Sequence, residues 1–230
     1  MQITFACAHQ VTEVLPSSAD FRLVSALFLR TANGFTVTKI QKIHNSDLLK
    51  QFIVVKERME RRGGIGSNEM QLFHGTRSET VDHINMRGFN RSYNRTHAYG
   101  KGVYFALDAS YSAKDTYSPP DADGAKRMYL ARVLAGDTCV GRSNDIEPSL
   151  PRPNPASPID LCDSTVDSQK SPKIFVTYKD NQQYPEYLIT FKPSGNWEHI
   201  VWVTVGFLSF SCHNWYLFGK QPDLICQVGS

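Results

Sequence analysis

The stretch from Gln71 to Tyr117 constrains this chain more than any other. It is a series of short apolar runs, each ending at a polar group. Gln71-Leu72-Phe73-His74-Gly75-Thr76 comes first, then Tyr99-Gly100-Lys101-Gly102-Val103-Tyr104-Phe105-Ala106, then Ser110-Tyr111-Ser112-Ala113-Lys114-Asp115-Thr116-Tyr117. This is the pattern of buried strands that deliver side chains to the edge of a cleft. Gly75, Gly100 and Gly102 let the backbone turn sharply or approach a ligand closely. A histidine, several tyrosines, a serine and exposed backbone amides suit a site that holds a ribose and a flat carboxamide ring.

The flanking sequence supplies both helices and strands. Phe21, Val24, Leu27 and Phe28 recur at spacings of three and four, which predicts a short helix over 18–30 capped by Ser17 or Ser18. After the Asn33-Gly34 turn, residues 35–43 alternate apolar and polar and read as a half-buried strand. Asn45 or Ser46 caps a second helix with an apolar stripe of Leu48, Leu49, Phe52, Val55 and Met59. It ends near Arg62, where glycines follow. Gly63 and Gly66 have a phosphate-loop spacing, but they follow a helix, whereas phosphate loops open one, so they read as a connector. The charges from Lys56 to Arg62 read as a solvated helix face.

A strand over 69–75 leads to a helix over 78–87, capped by Ser78 and stopped by Gly88 in the left-handed conformation. Residues 89–99 are irregular, and Arg91 and Arg95, with Tyr93 and His97 between them, suit a loop over an anionic ligand. A strand over 102–106, a short helix capped by Asp108, and strands over 127–136, 173–178 and 184–191 complete the pattern, with a Pro-, Ser- and Asn-rich loop over 144–158. Strands outnumber helices, and the helices cluster early. An α+β domain is expected, built on two packed, mostly antiparallel sheets with peripheral helices.

Composition narrows the function classes. The 230 residues suit one domain with appendages, and 41% hydrophobic residues can bury a core. A net charge of +3 supplies no global basic field for nucleic acid. The five cysteines are odd in number and form no Cys-x-x-Cys pair, so reduced intracellular thiols are expected, with neither a disulfide framework nor a metal site. Met1 to Cys7 does not read as a secretory signal.

His-Gly-Thr, followed by Gly-Lys-Gly-Val-Tyr-Phe-Ala and Ser-Tyr-Ser-Ala, resembles the catalytic domain of the poly(ADP-ribose) polymerase family. The likeness is strongest to the mono-ADP-ribosylating branch whose longer members carry macrodomains. It runs from about Ala19 to about Phe191, roughly three quarters of the chain. It implies the split-sheet ADP-ribosyltransferase fold over 18–191, with an unassigned segment over 1–17 and an atypical tail over 192–230. It also implies NAD as substrate, no metal, protein acceptors, nicotinamide-like inhibitors and a nuclear or cytoplasmic location. No DNA-sensing module is expected. The resemblance offers two further readings, a catalytically weak NAD- or ADP-ribose-binding module and an NAD glycohydrolase.

The resemblance also assigns roles. His74 hydrogen-bonds a ribose hydroxyl, and Gly75 presents its backbone N–H and C=O to the nicotinamide carboxamide, with the Ser112 hydroxyl beside it. Tyr104 and Tyr117 sandwich the ring, and Tyr111 lines the same pocket. Thr76, Asn90 and Arg91 fall at positions for the adenosine half. His74, Tyr104 and Ile174 form the catalytic set, with Ile174 where polymer-forming members carry a glutamate. Isoleucine cannot accept a hydrogen bond, so transfer of a single unit is expected, with Asp or Glu side chains as acceptors. Glu186 falls on the following strand. In the tail, residues 200–218 match a membrane span in length, but Ser209, Ser211, His213 and Asn214 weigh against an anchor.

Overall fold

A computed structural model describes residues 9–62, 66–94, 97–151 and 160–195. The expected tail span, Arg95 and most of the 144–158 loop's second half lie outside the described residues. Every described strand and helix belongs to the compact unit that ends at Pro193.

In chain order the elements are β1 (His9–Glu13), α1 (Ala19–Leu29), β2 (Phe35–Asn45), α2 (Ser46–Arg62), β3 (Glu69–Thr76), α3 (Val81–Arg87), β4 (Val103–Ala106), α4 (Ala109–Ser112), β5 (Lys126–Leu134), β6 (Thr138–Val140), β7 (Ser164–Val166), β8 (Ile174–Thr177) and β9 (Gln183–Pro193). Among the described residues the nine strands run in the order β1-β2-β9-β5-β3-β4-β8-β7-β6. Every pairing is antiparallel except β6 with β7. The α+β class is as expected, and the described strands form one large sheet with two halves. They meet at β3 and β4 through one register pair, Phe73 with Ala106. The near-break at that seam leaves the end of β3 without a neighbour on its β4 side.

Local chemistry explains most of the element ends. Ser18 accepts the Phe21 N–H at 3.1 Å and starts α1. Asn45 Oδ1 accepts the Leu48 N–H at 3.1 Å and starts α2. Three cap expectations change. Ser78 opens a single 3-10 turn, Ser78–Thr80, and caps nothing with its side chain. Gly88 has a positive φ of 76° but an extended ψ of −173°, so it ends α3 without the left-handed helical conformation. Asp108 stands before α4, yet its carboxylate takes the Lys173 ammonium at 3.1 Å instead of capping. At the far end β9 continues through Lys192 and Pro193, paired with Thr36 and Phe35, two residues past the expected stop at Phe191.

Helices cover the long half of the sheet. Val24 and Phe28 of α1 pack on Met128, Ile189 and Phe191, and the Phe28 and Phe191 rings lie 4.9 Å apart. Phe52, Val55 and Met59 of α2 pack on Leu134 and Tyr184. A buried side chain of this size contributes about 1.5–3 kcal/mol. Lys126 is 3% exposed. Its ammonium donates to the Ala113 carbonyl and, at 2.6 Å, to Asp115, and it faces the Phe35 and Phe191 rings. It ties the residue after α4 to the sheet that carries β3. Among the described residues no helix is long and apolar enough to cross a membrane.

Candidate active site

β3 carries His74 to the seam between the sheet halves. The imidazole Nδ1 lies 2.8 Å from the Tyr104 carbonyl oxygen. A carbonyl only accepts, so Nδ1 must carry the hydrogen. Burial pushes the His74 pKa below its ordinary value, and the bond to Tyr104 offsets only part of that. The ring is therefore neutral at pH 7, and Nε2 is left as an acceptor. Phe89 and Phe105 hold the ring at centroid distances of 5.0 and 5.4 Å. One nitrogen is fixed, the faces are packed, and the other nitrogen is free to receive a hydroxyl hydrogen.

Gly75 follows with its backbone turned to the open side of β3. The Ser112 hydroxyl donates to the Phe73 carbonyl at 3.1 Å, so the Phe73 polar groups face away from β5. Backbone direction alternates along a strand, so Gly75, two residues on, points its N–H and C=O the same way. β4 pairs with β3 only at Phe73, so this part of the edge can meet a ligand. A β-carbon at Gly75 would lie 2.4 Å from the Ser112 carbonyl oxygen and 3.0 Å from Tyr117 Cβ. Only glycine allows that approach.

Five tyrosines cluster near the seam. The Tyr104 hydroxyl donates to the Gly100 carbonyl at 2.9 Å and accepts the Tyr99 N–H at 2.8 Å. Burial raises its pKa, so it stays protonated. Gly100 is required there: its φ is 120°, and a β-carbon would fall 1.8 Å from the Tyr178 hydroxyl. The rings stacked on one another are Tyr111 and Tyr117, with centroids 5.0 Å apart and an interplanar angle of 23°. Their hydroxyls are 2.8 Å apart, and burial raises the Tyr111 pKa. Ile174 pairs with Ala106 on β4 and is buried with Val176 and Tyr178, against Tyr104 and Tyr111.

Residues 18–193 match the family described as the poly(ADP-ribose) polymerase catalytic domain. The chain belongs to that family. Its fold is thus the ADP-ribosyltransferase fold. It is 46% identical over 184 residues to human protein mono-ADP-ribosyltransferase PARP14, covering 79% of this chain and 10% of that protein. It is 35% identical over 203 residues to mouse protein mono-ADP-ribosyltransferase PARP11, covering 80% of this chain and 60% of that protein. Mouse protein mono-ADP-ribosyltransferase PARP12 is 38% identical over 181 residues, covering 77% of this chain and 25% of that protein. The chain spans less than two thirds of each of these relatives.

Within this polymerase-family domain, β3, β4, α4 with the turn after it, and β8 bring His74, Gly75, Tyr104, Tyr111, Ser112, Tyr117 and Ile174 to one region. Ser112 is 4% exposed with its proton on Phe73, which leaves its lone pairs for an amide hydrogen. The three residues expected at the adenosine half are engaged within the protein. The Thr76 hydroxyl is 2.6 Å from the Thr80 hydroxyl. Asn90 Oδ1 accepts the Ser92 N–H at 2.8 Å, and Arg91 donates to the Ile146 carbonyl at 2.9 Å. Glu186 lies on β9, with β5, β3 and β4 between it and β8. Its side chain meets Gln71 at 3.5 Å.

Sequence reasoning missed the supports of this site. Phe89 and Phe105 pack His74, and the Gly100 carbonyl and Tyr99 amide hold the Tyr104 hydroxyl. A glycine four residues before a strand tyrosine is the signal that could have shown the last contact.

Proposed function

We propose that this domain transfers one ADP-ribose from NAD to an acceptor side chain of a protein, releasing nicotinamide. The observation that carries the reading is the neutral, oriented His74 beside the open backbone of Gly75. A ribose hydroxyl can donate to Nε2 while the carboxamide pairs with the Gly75 N–H and C=O. That double hold fixes both ends of the bond to be broken.

In the reaction the bond from the ribose C1′ to the ring nitrogen breaks. Its electron pair stays on nicotinamide, which becomes neutral, and the acceptor oxygen closes on C1′. The transition state is cation-like at the ribose, and the fixed dipoles around it do the stabilising. Ile174 supplies no carboxylate there. An ionised Asp or Glu acceptor brings its own negative charge and has no proton to lose, so acidic side chains are the acceptors we propose. Nicotinamide-like carboxamides should occupy the same pocket.

A label-transfer assay tests the reading. Isotope- or biotin-labelled NAD should leave label on protein that resists nuclease and disappears with protease, with nicotinamide released alongside. Nicotinamide release without transferred label would show a glycohydrolase, and neither would show a binding module. Benzamide should raise the melting temperature, with about 2.7 kcal/mol of stabilisation at a hundredfold excess over Kd. No shift at saturation removes the pocket assignment.

A further inference from the structure

A cleft of about 390 Å³ opens beside Ile174, and four charged side chains line it: Asp108, Lys114, Asp167 and Lys173. Three of them are committed within the protein. Asp167 Oδ1 accepts the backbone N–H of Lys173 at 2.9 Å and of Ile174 at 3.1 Å. The Lys173 ammonium donates to Asp108 at 3.1 Å. Lys114 is exposed, and among the described residues no carboxylate pairs with it. Its ammonium lies 4.6 Å from the centroid of the Tyr111 ring. The Tyr111 ring stacks on Tyr117, which borders Gly75. Lys114 thus rests on the Tyr111 ring, with Tyr117 between it and Gly75, at a cleft that also reaches Ile174.

We propose that this cleft seats the acceptor segment, and that Lys114 selects acceptors with a second carboxylate beside the modified residue. The inference rests on the transferase reading and adds a specificity determinant to it. The Tyr111 face holds the lysine near the cleft and lowers the entropy lost when its ammonium pairs. Lys173 is already matched by Asp108, and Asp167 is tied into the turn before β8. Among the cations of the cleft, Lys114 is therefore the one that an acidic side chain of the acceptor would meet.

Two peptides with one glutamate acceptor, flanked by aspartate in one and asparagine in the other, test this with the full chain. The aspartate peptide should show a threefold to fivefold lower KM, roughly the value of one exposed ion pair. Lys114→Gln should abolish the difference. Lys114→Glu should invert it, so that a lysine-flanked peptide becomes preferred, while kcat and the KM for NAD hold. An unchanged benzamide melting shift confirms that each variant is folded. Equal use of both peptides by the native chain overturns the inference, as does an unchanged preference in Lys114→Glu. A raised KM for NAD in that variant also overturns it, since Lys114 would then read the dinucleotide. Absence of nicotinamide release with any peptide marks failure of the transferase reading itself, and the inference falls with it.

Discussion

Replacing His74 by alanine is expected to lower NAD-dependent labelling by one to two orders of magnitude, roughly 1.4–2.7 kcal/mol of lost positioning, while the domain stays folded. On the proposed reading, the substitution removes the Nε2 acceptor that would hold the ribose hydroxyl. The ladder of β3 with β5 remains, because it runs through backbone groups on either side of His74. The Phe89 and Phe105 rings lose a partner but still contact each other at 5.1 Å. Circular dichroism and the benzamide melting shift check the fold, and transferred label checks the activity. Unchanged labelling with an intact fold would mean that His74 is structural.

The same side chain sets a pH signature. Burial places the folded-state pKa of His74 below its ordinary value of 6.5. Above that value the folded and unfolded forms are both neutral, and His74 adds no pH dependence to stability. As the pH falls through 6.5, the unfolded chain takes up a proton that the folded chain declines, so the His74 contribution turns against folding. Activity should accordingly hold flat through the range where an exposed histidine titrates, since Nε2 still accepts. A loss of labelling centred at 6.5, and absent from the residual activity of His74→Gln, would contradict this assignment of the neutral ring.

Much of this arrangement was legible in the chain because its strands alternate or end on marked residues. Phe35 to Ile43 shows period two, and Phe52, Val55 and Met59 show a helical stripe, so β2 and α2 fall where they were expected. β1 was not visible. His9 to Glu13 has one aliphatic residue and is only partly buried, and its partner is β2 alone. β7 was hidden for the opposite reason: Ser164, Thr165 and Val166 are all buried, so no alternation appears. Their hydroxyls are satisfied by distant carbonyls, Ser164 to Ala135 and Thr165 to Tyr99, at 2.6 and 2.7 Å. No local pattern reports such partners. The site followed the same division. His74, Gly75 and Tyr104 stand in a compact motif, whereas Lys114 comes to the cleft at Ile174 only because β4 pairs with β8, and Asp167 only through the turn that joins β7 to β8. The buried Lys126 has no sequence signal either, because its counter-charge and its two aromatic neighbours lie on three different segments.

Prolonged incubation with excess NAD should add single, discrete ADP-ribose increments to each modified site, with no chains. Elongation requires a ribose hydroxyl of the attached unit to attack, and a hydroxyl needs a base to orient it and draw off its proton. Ile174 presents a branched hydrocarbon at that place, buried among Ala106, Val176 and Tyr178. A carboxyl acceptor is ionised at neutral pH and needs no base, so the first transfer proceeds while the second stalls. Ile174→Glu should not restore elongation. Its carboxylate would enter a site that is 5% exposed and lies near Asp167, which already accepts the residue's own N–H. Desolvation at so buried a position favours the protonated form, which is no base. The variant should therefore melt at a lower temperature and still yield single units. Intact mass and gel analysis decide the matter. A ladder of products from the native chain, resistant to a single-unit hydrolase and cleaved by a chain-cleaving one, would show that Ile174 does not set the limit.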